Sequence, residues 1–161
     1  MIPEYKEITK EELKKYKDLI LPMVYEELCE QERIDTEYIC IASILDGKAV
    51  GAIVADLEGS GDINLLSIWT DQKYRRMGIA SALRDKMTEV AVALYDWEEG
   101  QYGDDVLLKT MYSLPDKYRE PFEAWLRAND FTDFSIMKEA AEEQPEICAA
   151  TAEIHFFKLV G

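Results

Sequence analysis

Two apolar runs, "YICIASIL" and "KAVGAIVADL", flank Asp46-Gly47 and form the clearest pattern in the chain. Asp-Gly between two such runs is the strongest short hairpin signal, so the pattern predicts two antiparallel strands. "INLLSIWT", after the turn "GSGD", continues them as the next strand of a meander. "IPEYKEI" reads as a short first strand; "VLLKTMYS", "FTDFSIM" and "TAEIHFFKLV" read as the later ones. Between them the period changes from two to 3.6. Leu13, Tyr16, Leu19 and Ile20 form one helical stripe, with Thr9 and Glu12 ahead of it in capping-box spacing. Pro22 interrupts that stripe, and a second helix runs from Met23 to about Arg33. Ile79, Leu83, Met87, Val90 and Leu94 predict a third helix from about Met77 to Tyr95. A fourth runs from about Glu120 to Asn129, with Pro121 near its first turn and Phe122, Trp125 and Leu126 on its buried side. "WEEGQYGDD" is a loop, and the acidic "KEAAEEQPE" joins the last two strands. The element order is β-α-α-β-β-β-α-β-α-β-β, which predicts one α+β domain over residues 1–161 with a mixed, mostly antiparallel sheet.

Composition narrows what such a domain can do. A chain of 161 residues that is 48% hydrophobic can bury a real core. No apolar run approaches the ~18 residues of a membrane span, and "MIPEYKEITKEELKK" lacks the apolar core of a signal peptide, so a cytoplasmic location is expected. Lys and Arg number 18 against 33 Asp and Glu, a net charge of −15. That charge repels nucleic-acid backbone and anionic lipid; it reads either as plain solubility or as attraction for a cationic substrate such as an amine. "YEELCEQE", "DWEEGQYGDD" and "KEAAEEQPE" read as solvated faces. Cys29, Cys40 and Cys148 are too few and too widely spaced for a disulfide framework or a zinc site. His155 is the only histidine and falls in a strand; a Ser–His or Cys–His triad would have to use it, which disfavours hydrolase chemistry.

One stretch runs against this acidic background. In "DQKYRRMGIASALRDKM", residues 71–87, Lys73, Arg75 and Arg76 crowd together, and Gly78 and Ala80 follow at the start of the third helix. A helix leaves its first N–H groups without partners and carries positive potential at that end, which makes it a seat for phosphate. Gly78 and Ala80 clear the approach, and the arginines add charge beside the bare amides. The plain alternative is a basic turn ahead of an ordinary amphipathic helix. G-x-x-x-x-G-K-S/T is absent, and so is G-x-G-x-x-G, so neither a P-loop nor a Rossmann site fits.

At these residues the chain resembles the GNAT acetyltransferase superfamily. Its signature is Gln or Arg, two free positions, Gly, one free position, then Gly or Ala. Here it reads Arg75-Arg76-Met77-Gly78-Ile79-Ala80, inside "YRRMGIASAL". "AWLRANDF" is similar to the family's second motif, and the element order matches over nearly the whole chain. The resemblance implies a sheet of about seven strands flanked by about four helices, with strands 4 and 5 splayed apart. It implies acetyl-CoA, or another acyl-CoA, as donor and no metal. The N–H groups of Met77, Gly78, Ile79, Ala80 and Ser81 would hold the pyrophosphate, with Arg75 and Arg76 beside them. The backbone of Ile68, Trp69 and Thr70 would pair with the pantetheine arm and polarise the thioester, and Trp69 would also line the acceptor pocket.

The chain departs from the family where protons are handled. Where many relatives carry a glutamate base, it reads Leu65-Leu66-Ser67. Leu126 stands at the usual tyrosine acid, and Asp130 replaces the usual glycine. Ser67, holding a relay water, and Tyr118, as the acid, are the substitutes of choice; Tyr112 and Ser113 are further candidates. The expected reaction is acetyl transfer to a primary amine of a small molecule or peptide, by direct attack in a ternary complex. The alternative is an acyl-CoA-binding sensor or scaffold without catalysis. Family habit adds an expected homodimer.

Overall fold

The computed structural model describes residues 2–34, 37–57, 62–94, 105–141 and 145–155. The fold class is the expected one: seven strands form a mixed, mostly antiparallel sheet with four helices. The chain divides into two compact units, Met1–Glu58 with Leu65–Asp96 and Gly59–Asn64 with Trp97–Gly161.

In the first unit the strands lie in the order β1 (Glu4–Glu7), β2 (Tyr38–Leu45), β3 (Lys48–Leu57) and β4 (Ile63–Thr70), although β4's first two residues belong to the second unit. The hairpin between β2 and β3 forms as predicted. Asp46 and Gly47 have φ of 52° and 76°, the double left-handed turn whose twist matches that of the strands, and Leu45 pairs with Lys48 across it. β2 is buried along nearly its whole length because both its faces are covered. On one face Leu13, Tyr16, Ile20 and Leu28 pack on Tyr38, Cys40, Ala42, Ala52 and Val54. Against β2 and β3 lies α2 (Ile79–Leu94), which buries Ile79, Leu83, Met87 and Ala91. The expected stripe therefore holds for three turns and then rotates: Ala91 takes the place expected of Val90, and Leu94 is half exposed.

The segment before β2 departs from the reading of the sequence. The capping box does not form. The Thr9 hydroxyl donates to the Glu12 carboxylate at 3.0 Å instead of accepting from a backbone N–H, and Glu12 is drawn to Lys6. Without that cap the turn that follows tightens into a 3-10 helix, Leu13–Leu19, rather than an α-helix. Pro22 opens α1 (Pro22–Glu30) at its first position, where its missing N–H has no helical partner to lose.

The second unit holds β5 (Asp105–Tyr112), α3 (Asp116–Ala128), β6 (Thr132–Lys138) and β7 (Ile147–His155). β7 runs antiparallel between β5 and β6, with Tyr112 opposite Cys148 and Ser135 opposite Ala149. α3 begins one turn earlier than its apolar pattern suggests. Its first turn closes on the carbonyl of Pro115, which accepts from the N–H groups of Tyr118 and Arg119, both at 2.9 Å. Pro121 is thus inside the helix rather than at its start. Leu126 is fully buried, and the rings of Tyr112, Phe122, Trp125 and Phe131 form a chain with centroids 5.0, 6.3 and 6.4 Å apart. The predicted turn at residues 59–61 and nearly all of the loop after Tyr95 lie outside the described residues.

Candidate functional site

The basic turn is built from its capping residue forward. β4 ends at Thr70, and the N–H of Asp71 donates to the carbonyl of Val50 at 2.7 Å, tying the strand end to β3. The Asp71 carboxylate accepts from the N–H of Lys73 at 3.1 Å, and its carbonyl accepts from Tyr74 at 2.9 Å. This Asx-type turn folds Gln72–Tyr74 into a single 3-10 turn. Arg75 leaves it extended, then Arg76 and Gly78 both turn left-handed, at φ of 70° and 76°. That costs Gly78 little and Arg76 about 1–2 kcal/mol. The helical ladder of α2 starts when Ala82 donates to the carbonyl of Gly78 at 3.0 Å, so the amides just ahead have no helical carbonyl behind them. A Cβ placed on Gly78 would meet nothing within 4 Å, and Met77 is half exposed. The amide end of α2 is therefore open, as a phosphate seat needs.

The two arginines divide. Arg76 is exposed and makes no hydrogen bond or ion pair among the described residues. Arg75 folds back over the end of β4: its Nε donates to the carbonyl of Thr70 at 3.1 Å, and its guanidinium lies 4.7 Å from the ring centroid of Trp69. Trp69 and Ile68 are half buried, and Thr70 is buried. Ser67 is buried too, and its Oγ accepts from the N–H of Leu21, the residue ahead of α1, at 3.0 Å. Ile68, Trp69, Thr70 and residues 75–81 thus come together in one unit, with Ser67 at the base of the same strand.

Gly51 of β3 positions this end of α2. A Cβ there would stand 3.1 Å from the carbonyl oxygen of Trp69, 3.2 Å from Ile79 Cγ2 and 3.3 Å from Leu83 Cδ1. The helix and the last turn of β4 close over that glycine. A glycine inside a strand pattern was the available sequence signal, since it marks a close approach.

The other candidates belong to the second unit. Tyr118 stands in the first turn of α3, about half exposed, with Lys117 Nζ 4.8 Å from its ring centroid. Tyr112 is buried and its hydroxyl donates to the Glu123 carboxylate. Burial first, and then that carboxylate, push its phenol well above the ordinary range. Glu123 also pairs with Arg119 at 3.3 Å, and Arg119 pairs with Glu146 at 3.3 Å. Ser113 Oγ donates to the carbonyl of Pro145 at 3.1 Å. Among the described residues no group of His, Cys, Asp and Glu is placed to hold a metal ion.

With this geometry in hand, the comparison that decides the family is with known domains. The profile of the Acetyltransferase (GNAT) family matches residues 5–98, more than half of the chain. This chain belongs to the GNAT acetyltransferase family. The IAA acetyltransferase from Bacillus cereus shares its fold with a TM-score of 0.68 at 14% identity, covering 95% of this chain and 100% of its own. An aminoglycoside 6'-N-acetyltransferase complexed with coenzyme A matches at 0.64 and 16%, covering 95% and 97%. The ribosomal-protein-S18-alanine N-acetyltransferase from Escherichia coli matches at 0.63 and 12%, covering 96% and 95%. No curated protein matches the chain in sequence.

As a GNAT acetyltransferase, the chain shows how its departures from the family pattern are accommodated. Asp130, in the place of the usual glycine, takes the left-handed conformation itself, at φ 68°. Asp tolerates it better than most residues, and the helix end closes normally, with Phe131 N–H donating to the Leu126 carbonyl at 3.0 Å. Leu126, at the usual tyrosine, is core and carries no proton. Residues 75–80, by contrast, match the signature in sequence, turn left-handed at Arg76 and Gly78 and lead into the ladder of α2.

Proposed function

We propose that this enzyme transfers the acetyl group of acetyl-CoA to a primary amine of a small molecule or peptide, by direct attack in a ternary complex. The observation that carries the proposal is the unblocked amide end of α2 at Gly78, open on the side a Cβ would occupy. The amides of residues 77–81 hold the diphosphate, with Arg76 beside them, exposed and without a side-chain partner among the described residues. The backbone of Ile68, Trp69 and Thr70 receives the pantetheine arm, and Trp69 walls the acceptor pocket. When bound, acetyl-CoA supplies an activated thioester. The amine nitrogen forms the new N–C bond, the C–S bond breaks, one proton leaves nitrogen and one reaches sulfur. Tyr118 delivers the proton to sulfur. Ser67 keeps its hydroxyl hydrogen free to orient a relay water, because toward Leu21 it only accepts. The charge of −15 favours a cationic acceptor. The same reading includes a cytoplasmic location, which the unpaired Cys29, Cys40 and Cys148 support, and a homodimer, which rests on family habit.

The test is calorimetric titration with CoA of the parent and of Gly78→Glu, followed by thiol release from acetyl-CoA across an amine panel. The parent binds and turns over at least one amine. The variant keeps its fold and loses CoA binding, since it sets a carboxylate where phosphate sits. Parent-like binding by the variant would end the cradle assignment. A second reading, an acyl-CoA sensor without catalysis, draws on the buried Leu126 at the acid position and on the engaged hydroxyls of Tyr112 and Ser113. Tight CoA binding with no thiol release on any amine selects it.

A further inference from the structure

Resting on the coenzyme assignment above, we infer that Arg75 is a positioning residue. Its side chain fastens the end of β4 to the start of the cradle, and its positive charge is not what the site uses. The guanidinium does two things at once. Nε donates to the carbonyl of Thr70, five residues back, at 3.1 Å, and the guanidinium carbon stands over the Trp69 ring, 4.7 Å from its centroid. Both targets are the last two residues of β4, the stretch assigned to the pantetheine arm and the acceptor wall. The backbone bonds around them leave this as the closing link. Asp71 N–H ties the strand end to Val50 on the β3 side, and Tyr74 N–H closes the short turn on the Asp71 carbonyl. Arg75 N–H reaches the Gln72 carbonyl only at 3.5 Å, so the side chain, more than the backbone, returns the chain to β4 before Arg76 and Gly78 reverse it.

What this work requires is a planar group with an N–H donor, not a cation. Glutamine has such a group, a carboxamide that can donate and stack; lysine has the charge but neither the plane nor the fixed donor. Arg76 and Lys73, exposed and without side-chain partners among the described residues, are left to answer the phosphates.

The experiment separates plane from charge. Arg75→Gln and Arg75→Lys are compared with the parent by CoA calorimetry at low and high salt. They are also compared by the emission of Trp69 in a background with Trp97→Phe and Trp125→Phe. Arg75→Gln is expected to hold CoA within about threefold of the parent with the same salt dependence and the same Trp69 emission. Arg75→Lys is expected to bind about tenfold more weakly, the loss of roughly one hydrogen bond, with Trp69 emission red-shifted as the ring is uncovered. Melting temperatures of both variants show that neither has unfolded. A parent-like Arg75→Lys, with Arg75→Gln weakened and its salt dependence flattened, overturns the inference and makes Arg75 a phosphate ligand. A parent that fails to bind CoA sinks the coenzyme assignment alone. The Trp69 emission of the two variants still decides the role of Arg75.

Discussion

Replacing Gly51 by alanine adds one methyl group at the point where β3, the end of β4 and the first turns of α2 meet. The new Cβ would stand 3.1 Å from a backbone oxygen, that of Trp69, and 3.2 and 3.3 Å from Ile79 Cγ2 and Leu83 Cδ1. Ordinary contact begins a few tenths of an ångström further out. Ile79 and Leu83 are both fully buried, so neither can swing away, and the Trp69 oxygen belongs to the backbone of a paired strand. Overpacking of this kind costs about 1–3 kcal/mol. Alanine also stiffens the unfolded chain, which offsets about 0.4–1 kcal/mol. The net loss is about 1–2 kcal/mol, a melting temperature lower by roughly 2–8 °C for a chain of this size. Relief comes by pushing α2 outward from its N-terminal turn, which is the turn that carries the cradle, so CoA affinity should fall with it. Gly47→Ala is the control. Its φ of 76° makes alanine strained, yet its Cβ meets nothing within 4 Å, so the cost stays in the β2–β3 turn and does not press on α2. It should lose comparable stability and keep CoA affinity. Calorimetric melting and CoA titration of both variants measure the two effects. A Gly51→Ala protein that melts at or above the parent would refute the close approach of α2 to β3.

Two further substitutions follow from single contacts. Ser67→Ala leaves the N–H of Leu21 without its acceptor ahead of α1, which costs about 1–3 kcal/mol in urea unfolding. If Ser67 also holds the relay water, the rate of thiol release falls by about a hundredfold beyond that, and an unchanged rate would confine it to the cap. Tyr38 is buried with its hydroxyl on Glu27 at 3.0 Å, and burial first, then that carboxylate, push its phenol up to about 12. Its pKa is raised on folding, so this contribution to stability is whole below the unfolded value near ~10 and is lost as pH rises towards 12. Tyr38→Phe should therefore be less stable than the parent at pH 7, with the gap narrowing above about pH 10 in paired urea titrations; a gap independent of pH would disprove the coupling.

The strands were legible because a period of two, broken by turn residues, leaves few alternatives. Asp46-Gly47 could do little except turn left-handed twice, and it does. The helix ends were less legible because they depend on which partner a side chain chooses. Thr9 and Glu12 have capping-box spacing, but a carboxylate with Lys6 nearby takes the stronger charge-assisted partner and abandons the backbone. Pro121 marks a helix start only if the helix cannot begin earlier, and the carbonyl of Pro115 lets it begin a turn earlier.

At the site, the cradle was legible because its requirements are local. A helix start, a residue free to turn left-handed and small side chains all sit within ten residues of sequence, and the backbone there does what the residues allow. What charge counting could not yield was the division of labour between two adjacent arginines. Arg75 and Arg76 are equivalent in composition and adjacent in sequence, yet Arg75 is extended and faces back to Thr70 and Trp69, whereas Arg76 is left-handed, exposed and without a side-chain partner among the described residues. The same logic explains Gly51, silent in any motif yet decisive for where α2 begins: its value lies in an absent side chain, and only the three atoms crowding that space reveal it. On the proposed reading the anion seat is made by backbone conformation and close approach, with charge added afterwards, which is how a protein of net charge −15 would hold a polyphosphate.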